Sequence, residues 1–250
     1  MDQAHFYQLL FEPLEFLGPG TPGDTMALLQ RLRLAPGKRL LELGAGTGRS
    51  AALAAKGTGC EVLATDLSPA FLAATERRAK EAGVAERVAV KKVDLRKPGN
   101  LGKFDAVLCE GAAYVIGLGG ALRTWRPLLE PGGRVAFSHL VLADTHDPRG
   151  EEVRGFWRRA MREPLLSLLD TARLVEDEGY QLEAAWLLGP DAWETYLRPV
   201  QTRLAEIEAR VPAGTPAFEA LQEVRTEIRL QLDRGGVRFV TYGAFVARSS

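Results

Sequence analysis

The chain has few residues of several types, and each scarcity excludes something. There are 2 cysteines in 250 residues. Cys60 and Cys109 lie far apart, each inside an apolar run, and neither belongs to a C-x-x-C pair. No disulfide framework is expected, and both read as small buried hydrophobes in a reducing compartment. The 3 histidines, His5, His139 and His146, show no metal-ligand spacing, so no metal is expected. Charge of one sign is not in excess: 32 basic and 32 acidic residues cancel, which gives no electrostatic reason for a nucleic-acid partner. No apolar run approaches the roughly 18 residues of a membrane span, and Met1-Asp-Gln-Ala-His-Phe-Tyr7 lacks the regions of a signal peptide. A cytoplasmic monomer or homodimer is expected, with no membrane partner. What is present is enough for a core. An apolar content of 46% over this length fits one α/β domain with insertions.

Glycine is plentiful, and three of the glycines carry the most information. Leu40 to Leu43 reads as a short buried strand and Ser50 to Lys56 as the helix after it. Gly44, Gly46 and Gly48 alternate in the turn between them, where glycine lets a ligand approach the main chain. Strand, glycine turn and helix N-terminus form the nucleotide corner of an open α/β sheet. The dinucleotide spacing G-x-G-x-x-G is not met, because Arg49 occupies its third glycine position. Glu42, at the strand tip, would repel a pyrophosphate and attract a ligand bearing an amino cation and a sulfonium. No G-K-[ST] follows the glycines, so a P-loop is not indicated.

The unit repeats in the expected order. Cys60 to Thr65 reads as a second strand ending in Asp66, and Ser68-Pro69 opens a helix that Gly83 stops. A third strand, Arg87 to Val93, delivers Asp94-Leu95, and a fourth, Phe104 to Glu110, leads into Gly111 to Gly117. A helix ending in Trp125-Arg-Pro-Leu-Leu-Glu-Pro-Gly-Gly133 precedes a fifth strand, Arg134 to Leu140, with Pro131 read as the helix stop. The E-x-G-x-G-x-G run and the L-L-x-P-G-G phrase together resemble the class I S-adenosylmethionine-dependent methyltransferases. Residues 36 to 142 resemble their whole cofactor half, near the ubiquinone and menaquinone biosynthesis type and a bacterial small-molecule subgroup.

The resemblance implies S-adenosylmethionine as cofactor, with S-adenosylhomocysteine as product. It implies a Rossmann-like sheet of seven mostly parallel strands in the order 3-2-1-4-5-7-6, with strand 7 antiparallel. The cofactor set it implies is Glu42, Gly44, Ala45, Gly46, Gly48, Asp66, Leu67, Asp94, Leu95 and Glu110. Asp66 would take the ribose hydroxyls, Leu67 would lie on the adenine and Asp94 would take the adenine amino group. The plain alternative is that Asp66 and Asp94 only cap helices or turns.

The flanks should hold the acceptor. Residues 1 to 35 read as a helical lid segment, with helical spacing over His5 to Leu17, a break at Gly18 to Gly23, and a helix capped by Asp24 running to Arg33. Phe6 and Tyr7 stand evenly between pocket lining and packing, whereas Phe11 and Phe16 read as packing on the sheet. Residues 143 to 250 carry helices at Glu151 to Met161 and Leu165 to Gly179. Strands follow at Tyr180 to Leu188 and Val237 to Val246. The charge-dense helices between them, Asp191 to Val211 and Thr215 to Asp233, read as solvated faces. Tyr114, Trp193 and Tyr196 complete the expected substrate pocket.

Methyl transfer asks mainly for two reactants held in line, and a base only for an acceptor protonated at neutral pH. Glu110 and His139 end the fourth and fifth strands and are the two candidate bases. A satisfied structural histidine is the competing reading of His139. The function expected is methyl transfer to a small-molecule acceptor. The alternatives are a non-catalytic S-adenosylmethionine-binding module and a dinucleotide-dependent oxidoreductase.

Overall fold

The computed structural model describes residues 1–161 and 163–249. Seven strands form one sheet in the order β3-β2-β1-β4-β5-β7-β6. They are β1 (Arg39–Leu43), β2 (Glu61–Asp66), β3 (Val88–Lys92), β4 (Phe104–Glu110), β5 (Leu129–Leu142), β6 (Tyr180–Leu187) and β7 (Val240–Ser249). β1 pairs in parallel with β2 and β4, and β4 with β5. β7 inserts antiparallel between β5 and β6. The expected topology is therefore observed. Strands buried on both faces read as continuous apolar runs, which is why Leu40 to Leu43 and Ala106 to Cys109 stood out in the sequence.

Nine helices flank the sheet among the described residues: α1 (Gln3–Phe11), α2 (Pro22–Arg31), α3 (Arg49–Thr58), α4 (Pro69–Glu81), α5 (Leu118–Trp125), α6 (Glu151–Met161), α7 (Leu168–Asp177), α8 (Pro190–Ile207) and α9 (Pro216–Ile228). One core cluster lies under α1 to α4, α6, α8 and α9, on the sheet face carrying Leu40, Leu108, Leu140 and Tyr242. The other lies under α5 and α7, on the face carrying Leu41, Val107, Phe137 and Phe245.

Several element ends differ from the sequence reading, each for a local reason. α1 ends at Phe11 rather than Leu17, because Pro13 has no N–H with which to continue the helical hydrogen bonds. Thr21, not Asp24, is the N-cap of α2. Its hydroxyl accepts from the Asp24 amide at 3.1 Å, and the Asp24 carboxylate accepts from the Thr21 amide at 2.9 Å, a reciprocal capping box. Pro131 stops no helix. α5 has already ended at Trp125, a short 3₁₀ turn holds Pro127, and Pro131 lies inside β5. β7 starts at Val240 because Gly236–Arg238 forms a 3₁₀ turn first.

The glycine turn is locked by packing as well as by backbone angle. Gly48 has φ +76°, and a Cβ there would lie 2.6 Å from the Thr75 Cα in α4. Thr75 in turn donates its hydroxyl to the Gly46 carbonyl at 3.1 Å. Gly48→Ala should therefore destabilise the fold by about 1–2 kcal/mol for the left-handed conformation and about 1–3 kcal/mol for overpacking. Urea unfolding reads this directly, and an unchanged midpoint would mean that α4 does not bear on the turn.

Candidate active site

The C-terminal ends of β1, β2 and β4 bring their acids to one edge of the sheet. β1 and β2 run in register, so Leu43 pairs with Thr65. The Thr65 carbonyl then takes the amides of both Gly44 and Ala45 at 2.9 Å. Asp66, one residue on, accepts from the Gly46 amide at 3.0 Å and the Ser68 amide at 2.9 Å. Its carboxylate thus holds the turn and the entry to α4 together, and two of its roughly four lone-pair sites remain free.

Below the turn lies a polar cluster that the sequence reading assembled only in part. Glu110 accepts from the Thr25 hydroxyl at 2.6 Å and from the Ser50 hydroxyl at 3.1 Å. Arg49 donates to Thr25 Oγ1 at 2.7 Å, lies 3.5 Å from Glu110 Oε1 and stacks 4.1 Å over the Phe16 ring. Glu42 is 4% exposed, and its Oε2 has no hydrogen-bond partner among the described residues. Burial first, and the Glu110 charge second, push the Glu42 carboxyl up to about 8, against the pull of Arg49.

One cavity of about 1470 Å³ runs along this edge. Its wall includes Glu42, Gly44, Ala45, Gly46, Asp66, Leu67, Asp94, Leu95 and Glu110 at the sheet end, and Tyr7, Tyr114, Trp193 and Tyr196 at the other. Leu67 is 51% exposed into this space. Arg96 engages both oxygens of Asp94, at 2.9 and 3.2 Å. Gly48 is not on the wall and belongs to the packing of α4.

Two expectations are corrected. Phe6 is fully buried in the core and does not line the cavity, because one face of α1 packs inward on α8 and α9. Phe11 and Phe16 pack against the core as read, and they also line the cavity. His139 does not. Glu110 pairs with Ser138 across β4 and β5, so strand alternation turns His139 to the opposite face. Its Nε2 lies 3.3 Å from Oε1 of Glu163, and Glu163 is the residue on the cavity wall. Glu110 does face the cavity, but both its oxygens already accept hydrogen bonds.

The sequence reading missed Arg49 as more than a departure from a glycine pattern, and missed Thr25, Tyr242 and Glu227. Glu227 was assigned to a solvated face, yet it lines the cavity. A signal for it existed. Ala220, Val224 and Ile228 are among the buried positions of α9, and Glu227 falls seven residues from the first and three from the second, on the same helical stripe.

The raised Glu42 pKa makes stability fall with pH. The folded state keeps the proton that the unfolded chain releases above pH ~4.5, so this component is lost progressively up to about pH 8. The loss is at most about 1.4 kcal/mol for each pH step of one. In cofactor-free protein, Glu42→Gln should remove it, so the variant gains on wild type as pH rises from roughly 5.5 to 7.5 in urea unfolding. A stability difference constant across that range would show that Glu42 is ionised.

Residues 40–133 match a family model described as a methyltransferase domain. The chain is 28% identical to the Escherichia coli (strain K12) protein YjhP over 225 residues, 90% of this chain and 87% of that one. A S-adenosylmethionine-dependent methyltransferase from Geobacter sulfurreducens, crystallised with S-adenosylhomocysteine, is similar over 100% of this chain and 99% of its own. The identity is 25% and the TM-score 0.82. The same coverage of 100% on both chains is found with a S-adenosylmethionine-dependent methyltransferase from Thiobacillus denitrificans, also in complex with S-adenosylhomocysteine, at 23% identity and TM-score 0.82. The wall described above suits that group. An orphaned carboxylate oxygen at Glu42, glycines on the main-chain side and an acid at the end of β2 are matched to a cation carrying a ribose. Residues 40–133 thus form a methyltransferase domain, and the chain as a whole has the class I fold of the S-adenosylmethionine-dependent methyltransferases it is similar to.

Proposed function

We propose that this methyltransferase acts on a small molecule held at the aromatic end of the cavity. The observation that carries the reading is the cavity's extent. At about 1470 Å³ it exceeds the roughly 300–1,000 Å³ of an ordinary small-ligand pocket, which leaves room for a compact second reactant beside the cofactor. The second half is walled by rings from α1, α6, α8 and β7, which suits an organic molecule with apolar surface. A balanced overall charge also favours such an acceptor over nucleic acid, and two buried free cysteines fit a reducing cytoplasm.

In this reading the chain's own residues do the positioning. Gly44, Ala45 and Gly46 present main chain to the cofactor, the free lone pairs of Asp66 take the ribose hydroxyls, and Leu67 and Leu95 flank the adenine. Asp94 keeps acceptor capacity for the adenine amino group beside Arg96. Glu42 meets the amino cation, whose arrival draws its carboxyl back to the ionised form. The bound cofactor supplies an electrophilic methyl on sulfur. Glu110 orients the turn through Thr25, Ser50 and Arg49 and is not assigned a proton transfer, and His139 acts on the cavity only through Glu163. Alignment of the reactants then carries the rate, which can contribute roughly 7–11 kcal/mol at best. Residues 1 to 20 close one side: Leu17 lies 2.6 Å from where a Gly46 Cβ would be, and the Glu15 carbonyl accepts from Thr47 at 3.3 Å.

Asp66→Ala should lower affinity for S-adenosylhomocysteine roughly 10- to 150-fold in calorimetry, the equivalent of about 1.5–3 kcal/mol of charge-assisted hydrogen bonding. Unchanged affinity in a folded variant would remove Asp66 from the cofactor site. For the acceptor, a cell extract incubated with the enzyme and methyl-labelled cofactor should carry enzyme-dependent label in its metabolite-sized fraction. Label confined to protein or nucleic acid would overturn the small-molecule reading.

A further inference from the structure

We propose that the acceptor carries an amine group, recognised as its cation and separate from the atom that takes the methyl, and that Glu227, which lines the cavity together with four tyrosines, is the side chain that selects it. The proposal rests on the small-molecule reading above and names the chemistry of that molecule.

Glu227 sits in the last turn of α9 and faces the cavity. A carboxylate there opposes the helix dipole, so the helix itself gains nothing from it. It makes no hydrogen bond or ion pair with any described residue. Burial alone pushes its carboxyl up to about 8. Tyr7, Tyr114, Tyr196 and Tyr242 line the same cavity, on rings arriving from α1, the loop after β4, α8 and β7. Tyr196 and Tyr242 are each 7% exposed, and neither hydroxyl has a partner among the described residues, whereas buried tyrosine hydroxyls normally find one.

The rings form a continuous wall. Tyr7 stacks on Phe11 at 5.8 Å between centroids, Phe11 on Tyr196 at 6.5 Å, and Trp193 contacts Tyr196 at 6.5 Å and Tyr242 edge-on at 5.8 Å. Trp193 is held in place by its indole N–H, which donates to the Thr241 hydroxyl at 3.1 Å inside the core. Electron-rich faces around one unpaired carboxyl make a receptor for a cation: rings attract it most strongly once it is desolvated, and the carboxylate then gains the partner it lacks. A carboxylate or phosphate would meet repulsion instead from Glu227 and from Glu223, one turn earlier on the same face. Among the described residues the cavity wall has no lysine, and the arginine they place at this end, Arg159, is exposed.

Three probes of one shape test the assignment on protein saturated with S-adenosylhomocysteine: 2-phenylethylamine, 2-phenylethanol and 3-phenylpropanoate, followed by calorimetry. The amine should bind at least about tenfold more tightly than the other two. Glu227→Gln should abolish that preference while leaving S-adenosylhomocysteine affinity within about twofold, and Glu227→Asp should keep it. Equal binding of the three probes, tighter binding of the anion, or undiminished amine affinity in Glu227→Gln would each overturn the proposal. Should Glu227→Gln not fold, the wild-type series and Glu227→Asp decide. The two readings fail separately. Methyl label on protein lysines with the amine preference intact removes only the small-molecule reading. Label on metabolites with no amine preference removes only this one.

Discussion

The active-site edge depends on one buried cluster, in which Arg49 joins Thr25, Ser50, Glu110 and Phe16. Four pieces of chain meet there: the leading segment, α2, the start of α3 and the end of β4. The charges are largely withdrawn from water, with Arg49 and Glu110 side chains 11% and 20% exposed. Such a pair gains from each further donor or acceptor that is satisfied. Thr25 supplies one by accepting from Arg49 while donating to Glu110, whereas Arg49 Nη1 has no hydrogen-bond partner among the described residues. The cluster also explains why a glycine-rich turn of this kind needs no third glycine at position 49. The dinucleotide pattern uses glycine there for close helix–strand packing, whereas here a long side chain reaches back and ties the helix to β4.

This clamp has an electrostatic consequence for its neighbour. Glu110 is compensated by Arg49 and two hydroxyls, but Glu42 is left with an unpaired oxygen beside it. The cofactor end of the cavity therefore holds one carboxylate that is satisfied and one that is not. Glu227 repeats the second condition at the far end, in apolar surroundings and with no protein partner. Acidic side chains outnumber arginines along the whole wall, although the chain as a whole is neutral. Net charge concealed a field that only the folded arrangement concentrates, because focusing depends on which groups line a low-dielectric cleft.

The fold was largely legible because its signals are local. Apolar runs of four to seven residues marked β1, β2 and β4, glycines marked the turn, and Ser68-Pro69 marked the start of α4, where Ser68 does cap. Topology came from resemblance rather than from spacing. Errors at the element ends came from competing local chemistry: Pro13 and Pro127 had more effect than the apolar periodicity and than Pro131. The site residues divide along another line. Acids at strand ends were found because a parallel sheet delivers its C-terminal ends to one edge. His139 was misplaced because its role depends on strand parity, and a shift of one residue reverses the face. That parity is set by the pairing of Glu110 with Ser138, which no single strand reveals.

The same limit explains why the acceptor end was harder to read than the cofactor end. The residues proposed for the cofactor follow one another from Glu42 to Glu110 through alternating strands and helices, so order in the sequence reproduces order in space. The acceptor wall is drawn from α1, the loop after β4, α6, α8, α9 and β7, which are separated by as much as the whole chain. Tyr7 and Tyr242 come together only because β7 inserts between β5 and β6 and returns the last strand to the middle of the site. A late antiparallel strand thus does more than complete the sheet. It places Tyr242 beside Gly111, 3.8 Å from the hydroxyl to where a Cβ would stand, at the junction of the two halves of the cavity. In the proposed reading, an acceptor seated against the aromatic wall lies next to the glycine turn, and the distance between wall and turn is set by the pairing of β5 with β7.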